Sequence, residues 1–173
     1  MPRPSRAPRA SSYIRQRAAG EATGASRVKE LLAVHGLSPR KRFGQNFLVR
    51  EEIAERIVEH CRLDPGDVAV EIGPGAGALT LGLARRVRHL VAVEMDRGLA
   101  ALLREELSGF PGVELVEDDF LELDLAALLA ESGAQVVWNA LHGTWGEDGA
   151  VQGLCACLRI PCTGSGILAS ALA

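Results

Sequence analysis

From residue 68 onward, short apolar runs alternate with segments whose apolar positions recur every three to four residues. The runs at 68–72 (VAVEI), 89–95 (HLVAVEM), 113–117 (VELVE) and 134–139 (AQVVWN) have the length and β-branched content of buried strands. Between them, a helix from near Ala78 to about Arg86, one over 97–109 and a short one over 123–132 are predicted. Strands separated by helices of this length require crossover connections, so the pattern predicts a parallel sheet with helices on both faces. Upstream, Ser26 is a candidate N-cap for a helix that presents Val28, Leu31 and Leu32 on one face and ends at Gly36. A second helix places Ile53, Ile57 and Cys61 four apart with Val58 beside them, and Glu51 and Glu52 suit its positive end. The segment Asp64–Asp67 reads as a turn.

Residues 1–25, rich in Arg, Pro, Ser and Ala, carry almost no apolar pattern and are expected to be disordered. Charge sharpens that division. Residues 1–50 hold eleven Lys/Arg against two acids, whereas residues 51–173 hold eight against twenty. A basic arm on an acidic body suggests contact with a polyanion; a solvated tail and a mitochondrial presequence are the alternatives for the arm. Aromatic residues make up only 4%, so the core must be aliphatic. No apolar run reaches the roughly 18 residues of a membrane span, no secretory signal is evident, and the cytosol is the expected location. Cys61, Cys155, Cys157 and Cys162 lack the spacing of a metal or redox motif, and no metal site is expected. Cys61 and Cys157 lie in apolar periodic stretches and are expected to be buried.

Chemistry is written most clearly in VEIGPGAGALT. Gly73, Gly75 and Gly77 fall between the first strand and the next helix, where glycine permits a sharp turn and the close approach of a ligand. The helix start would offer free N–H groups to an anionic ligand group. Glu94 ends the second strand, 21 residues after Gly73, at the spacing of a carboxylate that accepts from ribose hydroxyls. Together these predict a site for an adenosine-bearing cofactor, Gly75 included. Spacing alone leaves its identity open, since Gly73-x-Gly75-x-x-Ala78 also meets a loose dinucleotide pattern. Asp119 adds a polar group after the third strand, and the adjacent Asp118 competes for that role.

The segments KRFGQNFL (41–48), VEIGPGAGALT (70–80), VAVEMDR (91–97) and DFLELDL (119–125) resemble, in order and spacing, the small-subunit ribosomal RNA adenine dimethyltransferases. The resemblance spans about residues 26–135 and implies a Rossmann-like class I methyltransferase fold, a three-layer α/β sandwich here truncated to a parallel sheet of four to five strands. It implies S-adenosyl-L-methionine as cofactor, in place of a dinucleotide, and small-subunit ribosomal RNA as partner. Asn46 and Leu48 would cover the cofactor, Gly73 would line its methionine side, Glu94 would hold the ribose and Asp119 would meet the adenine amine. Arg40, Lys41 and Arg42 would lie near RNA phosphates. The reaction implied is methyl transfer to the N6 amine of adenine, with the base drawn out of its stack. The family uses an Asn-Leu-Pro-Tyr tetrad whose Asn and Pro carbonyl accept from the amine while the aromatic ring stacks on the base. Asn139 stands at the first position as candidate catalytic residue; Ala140, Leu141 and His142 replace the rest.

Residues 136–173 resemble a different family. NALHGTWGEDGAVQG followed by IPCTGSGILASALA is similar to the N-terminal region of D-alanine–D-alanine ligases, with Cys162 in place of a tyrosine. In those enzymes the counterpart of His142 helps position an amino-acid substrate. Ligation also needs an ATP-grasp part that this sequence does not carry, so ligase activity is not expected. The two resemblances meet near VVWN, where the second segment is expected to complete the sheet. It would contribute a helix capped by Glu147 or Asp148 and a short strand at RIPCTG. The alternatives to an RNA methyltransferase are a non-catalytic cofactor- or RNA-binding remnant, a fusion product, and a nicotinamide-dependent oxidoreductase.

Overall fold

Four apolar runs become four parallel strands, of which the two central ones are buried on both faces and the outer two only in part. The structure, a computed structural model, describes residues 27–39, 45, 47–143 and 145–172. The candidate residues Arg40, Lys41, Arg42 and Asn46, the N-cap Ser26 and the tail 1–25 lie outside the described residues. The strands are β1 (Val68–Ile72), β2 (His89–Val93), β3 (Val113–Val116) and β4 (Val136–Asn139), in the order β3-β2-β1-β4. Ile72 pairs with Val93 on one side and with Asn139 on the other. After β3 the chain returns across the sheet, so its direction of growth reverses at β1. A crevice opens at the carboxyl ends of β1 and β4, the usual ligand position in such sheets.

The helices are α1 (Arg27–Val34), α2 (Glu51–His60), α3 (Thr80–Ala84), α4 (Arg97–Glu106), α5 (Leu125–Ser132), α6 (Ala150–Leu158) and α7 (Ile167–Ala171). Alternation along β1 divides the core. Val70 and Ile72 pack with Val137, with Leu125 and Leu129 of α5, and with Val151 and Cys155 of α6. Ala69 faces the other way, with Val58 of α2 and Leu83 of α3. A third cluster joins Val28 and Leu32 of α1 to Leu99 of α4 and to Ala76 in the turn after β1. The buried pair of Arg27 with Glu106 ties α1 to α4.

Several expectations shift in detail. The helix after β1 begins at Thr80 and spans five residues, because Gly75 and Gly77 both take positive φ (59° and 77°) and hold the chain in a turn. The fifth strand is reduced to a parallel bridge between Val137 and Cys162. There the Val137 N–H donates to Pro161 O at 2.8 Å and the Thr163 N–H to Val137 O at 3.0 Å. On α2 the buried face is Ala54 and Val58, while Ile53, Ile57 and Cys61 are half-buried at its side. Val58 is drawn inward because Gly82 of α3 leaves room for it; a Cβ on Gly82 would sit 3.1 Å from Val58 Cγ2. Cys157 is exposed and Cys155 is the buried thiol. Val151 and Cys155, four apart, set the inner face of α6, and two further residues turn the chain about 200° away from it. Among the described residues no helix is long and apolar enough to cross a membrane, and no group of three or more His, Cys, Asp or Glu could hold a metal.

Candidate functional site

A cavity of about 510 Å³ opens at the carboxyl ends of β1, β2 and β4. Its floor is the glycine turn. The Gly75 N–H donates to Glu94 Oε2 at 2.9 Å, and the Asp96 N–H to Glu94 Oε1 at 2.9 Å. Gly73 N–H donates to Val93 O and Gly77 N–H to Pro74 O, both at 3.0 Å. All three glycine amides are therefore engaged within the protein. The turn is not a phosphate cradle, and the short α3 makes no side-chain cap. The three glycine amides are thus not offered to a dinucleotide pyrophosphate.

Glu94 is held rigidly by those two N–H groups and is 5% exposed. Each carboxylate oxygen keeps a second lone pair for a diol. Burial raises its pKa above the ordinary range, opposed by the N–H groups of Asp96 and Gly75. Asp96 caps α4, its Oδ1 accepting from Gly98 N at 2.9 Å, and receives Gln45 Nε2 on Oδ2 at 3.2 Å. Beside Gln45 in the chain, Phe47 lies over the turn: a Cβ on Gly75 would stand 3.2 Å from Phe47 Cε1. Phe47 and Leu48 both line the cavity. Gln45 and Phe47 escaped the residue-by-residue expectations, although they belong to the same GQNFL element.

Gly73, Gly75, Glu94, Leu48 and Asn139 all line this one cavity. Asp119 does not. Its Oδ1 turns back to accept from Leu121 N at 3.0 Å, and it is the preceding Asp118 that lines the cavity. Glu71 of β1 also lines it, 1% exposed, a site residue the apolar run around it concealed.

The wall at β4 is built differently. Asn139 Nδ2 donates to Gly146 O at 2.7 Å, and its Oδ1 accepts from Leu141 N at 3.2 Å. Its backbone N–H donates to Thr163 Oγ1 at 3.1 Å. Gln152 Nε2 converges on the same Gly146 O at 2.8 Å. Leu141 rests on the turn, its Cδ2 3.0 Å from where a Cβ on Gly73 would be. His142 Nδ1 is 3.4 Å from Glu147 Oε1, and Glu147 Oε2 accepts from Gly143 N at 2.7 Å. Asp148 accepts from Trp145 N at 2.7 Å and from Ala150 N at 3.1 Å, beside the first turn of α6. These N–H contacts lower the pKa of Glu147, with His142 a smaller contributor, and of Asp148. Trp145 is 48% exposed and is not among the cavity's lining residues.

Comparison with known proteins places this geometry. The family described as ribosomal RNA adenine dimethylase matches residues 36–144, running past the β4 segment where the second resemblance begins. Among curated proteins, the ribosomal RNA small subunit methyltransferase A of Magnetococcus marinus is 50% identical over 107 residues, 62% of this chain and 38% of that protein. The same-named protein of Pelotomaculum thermopropionicum is 41% identical over 137 residues, 79% of this chain and 44% of that protein. The chain thus spans about two fifths of the length of these relatives. Among solved structures, the 23S rRNA methyltransferase ErmE superposes with a TM-score of 0.51 at 34% identity, over 64% of this chain and 42% of that one. A dimethyladenosine transferase from Plasmodium falciparum reaches 0.56 at 16% identity, over 67% and 40%, which speaks to the fold alone.

Proposed function

Because the chain belongs to the ribosomal RNA adenine dimethylase family through residues 36–144, we propose that its cavity binds S-adenosyl-L-methionine and serves N6-adenine dimethylation of small-subunit ribosomal RNA. The observation that carries the reading is the Glu94 clamp. One carboxylate fastened to the glycine turn and to the start of α4, with a free lone pair on each oxygen, suits a ribose diol. The engaged glycine amides suit a cofactor without a pyrophosphate.

In this reading Gly73 and Gly75 leave backbone room beside the methionine part, Glu94 holds the ribose, and Phe47 and Leu48 cover the cofactor together with Asn46. Asp118, which lines the cavity, takes the adenine-facing role that the family pattern gave to Asp119. Arg40, Lys41 and Arg42 approach RNA phosphates, where cations supply much of the affinity. The bound cofactor supplies an electrophilic methyl group. The protein's part is to align the exocyclic amine with it and to accept the amine's hydrogen bonds. That acceptor is assigned to Asn139. The site of action is the cytosol, where the RNA substrate is.

Residues 136–173 are read as a ligase-like segment that completes the sheet. A second reading is favoured by the hydrogen bonds of Asn139. Both ends of its amide are engaged, with Gly146 and Leu141. Together with the missing proline and aromatic after Asn139, this supports a chain that binds cofactor without transferring methyl groups. Calorimetric titration with S-adenosylmethionine tests the cofactor site: Glu94→Ala should abolish a heat that the wild type shows. Equal heats would overturn the cavity assignment. Binding without methylation of small-subunit RNA would select the second reading.

A further inference from the structure

Glu71 is the one acidic position in the middle of β1, flanked in the sheet by Ala92 and Trp138. It is 1% exposed, its Oε2 has no hydrogen-bond partner among the described residues, and the Thr80 side chain lies beside it. A buried carboxyl oxygen left without a partner is costly and rare in native interiors, and a leucine would serve the core better. Glu71 nevertheless lines the cavity, together with Glu94 and Asp118. Among the described lining residues there are three carboxyl groups and no Lys or Arg. Two carboxyls sharing one wall resist joint ionisation unless a positive charge enters between them. A pyrophosphate would meet repulsion here.

We propose that Glu71 is a charge-selecting residue: it becomes the counterion of a positive ligand in the cavity and so favours a sulfonium over the neutral sulfide left after methyl transfer. The inference rests on the cofactor reading and deepens it. Without ligand, Glu71 is held protonated. Burial raises its pKa to about 8, Thr80 opposes the shift, and the Glu94 charge adds to it. Glu94 is in turn pushed up by burial and by the charge of Asp96. Entry of a cation lowers the cost of the ionised form, so the Glu71 proton leaves to solvent as the ligand binds. The sulfide product has one positive charge fewer and draws out less of that proton. Glu71 thereby weakens product binding relative to substrate without touching the diol clamp.

The test is calorimetry near pH 7 on the full chain, with S-adenosylmethionine and S-adenosylhomocysteine, in two buffers of different ionisation enthalpy. The wild type should release a fraction approaching one proton with the sulfonium and clearly less with the sulfide. In Glu71→Gln the release should vanish and the preference for the sulfonium should fall by about tenfold, the equivalent of one unit of pKa coupling. Equal proton release for both ligands in the wild type, or an unchanged preference in a folded Glu71→Gln, overturns the proposal while leaving the cofactor site intact. Should Glu71→Gln fail to fold, Glu71→Asp, which keeps the titrating group, and the wild-type comparison still decide. Failure of either ligand to bind the wild type removes the cofactor reading, and this inference with it.

Discussion

The two walls of the cavity use their polar groups in opposite ways. At the ends of β1 and β2, the backbone of the turn is satisfied by a carboxylate, and that carboxylate retains capacity directed at the cavity. At the end of β4, the side chain that should face a substrate is satisfied by its own loop: Asn139 Nδ2 on Gly146 O, Asn139 Oδ1 under Leu141 N. The first wall keeps acceptor capacity for a ligand, and the second satisfies itself. A binding site can therefore be well formed while the acceptor of the reaction beside it is engaged elsewhere, and the two walls should separate under mutation.

The largest effect should come from Gly77→Val. Gly77 has φ of 77°, and a Cβ there would lie 2.9 Å from Leu103 Cδ2. Positive φ at a β-branched residue and a clash with the α4 core should together cost about 3 kcal/mol or more and abolish cofactor binding. Gly143→Ala is the matched change on the other wall, at φ of 76° with nothing within 4 Å. It should cost only about 1 kcal/mol of backbone strain and leave cofactor affinity unchanged. Urea midpoints and titration of both variants check the contrast; similar losses in the two would erase it.

A second test uses pH. Glu71 titrates at about 8 in the fold against an ordinary 4.5. Between those values the folded state holds a proton that the unfolded chain has lost, so this group's contribution to stability falls as pH rises from about 4.5 and levels off above about 8. Below 4.5 both states are protonated and the contribution is flat. Urea midpoints of the ligand-free protein should drop between pH 5 and pH 9, and Glu71→Gln should remove most of that slope. A slope equal to that of the wild type would mean the carboxyl is ionised in the folded chain.

How much of this was legible in residues follows from what each feature depends on. The four strands were, because each reads as a short apolar run between helical segments, and the Gly73–Glu94 spacing carried the cavity with it. The start of α3 was not: Ala78 and Leu79 fit a helical pattern, and the conformations of Gly75 and Gly77 hold the chain in a turn until Thr80. Cys157 reads as buried from its apolar stretch, yet the face of α6 that meets the sheet carries Cys155. Asp118 and Asp119 differ by a turn geometry that neighbouring identical residues cannot encode. Glu71 sat unremarked in a strand, since an isolated acid among valines carries no periodic signal. The engagement of Asn139 depends on a carbonyl seven residues on, and arises only when the segment beyond β4 folds back.

On the acceptor wall, Asn139→Ala removes two hydrogen bonds but leaves Gly146 O still paired with Gln152 Nε2. The expected loss is about 1–2 kcal/mol in stability, seen as a lower urea midpoint. Cofactor affinity should be unaltered. A large loss of affinity would show that the two walls are coupled through Leu141, which touches Gly73.

The smallest expected change is the most informative about catalysis. The N–H of Leu141 occupies Asn139 Oδ1 at 3.2 Å. Proline has no N–H, so Leu141→Pro frees that oxygen to accept from an incoming amine and also removes the Leu141 side chain from above Gly73. Asn139 Nδ2 keeps its bond to Gly146, so the amide stays anchored by one end and presents the other. Leu141→Pro should therefore raise methylation of a small-subunit RNA fragment a few-fold over wild type, roughly the worth of one hydrogen bond, with cofactor affinity constant. Adding Ala140→Leu and His142→Tyr supplies a ring for stacking and should extend the gain. If the single change releases the oxygen but methylation does not rise, the limitation lies beyond this loop, in parts of the longer relatives that this chain does not span.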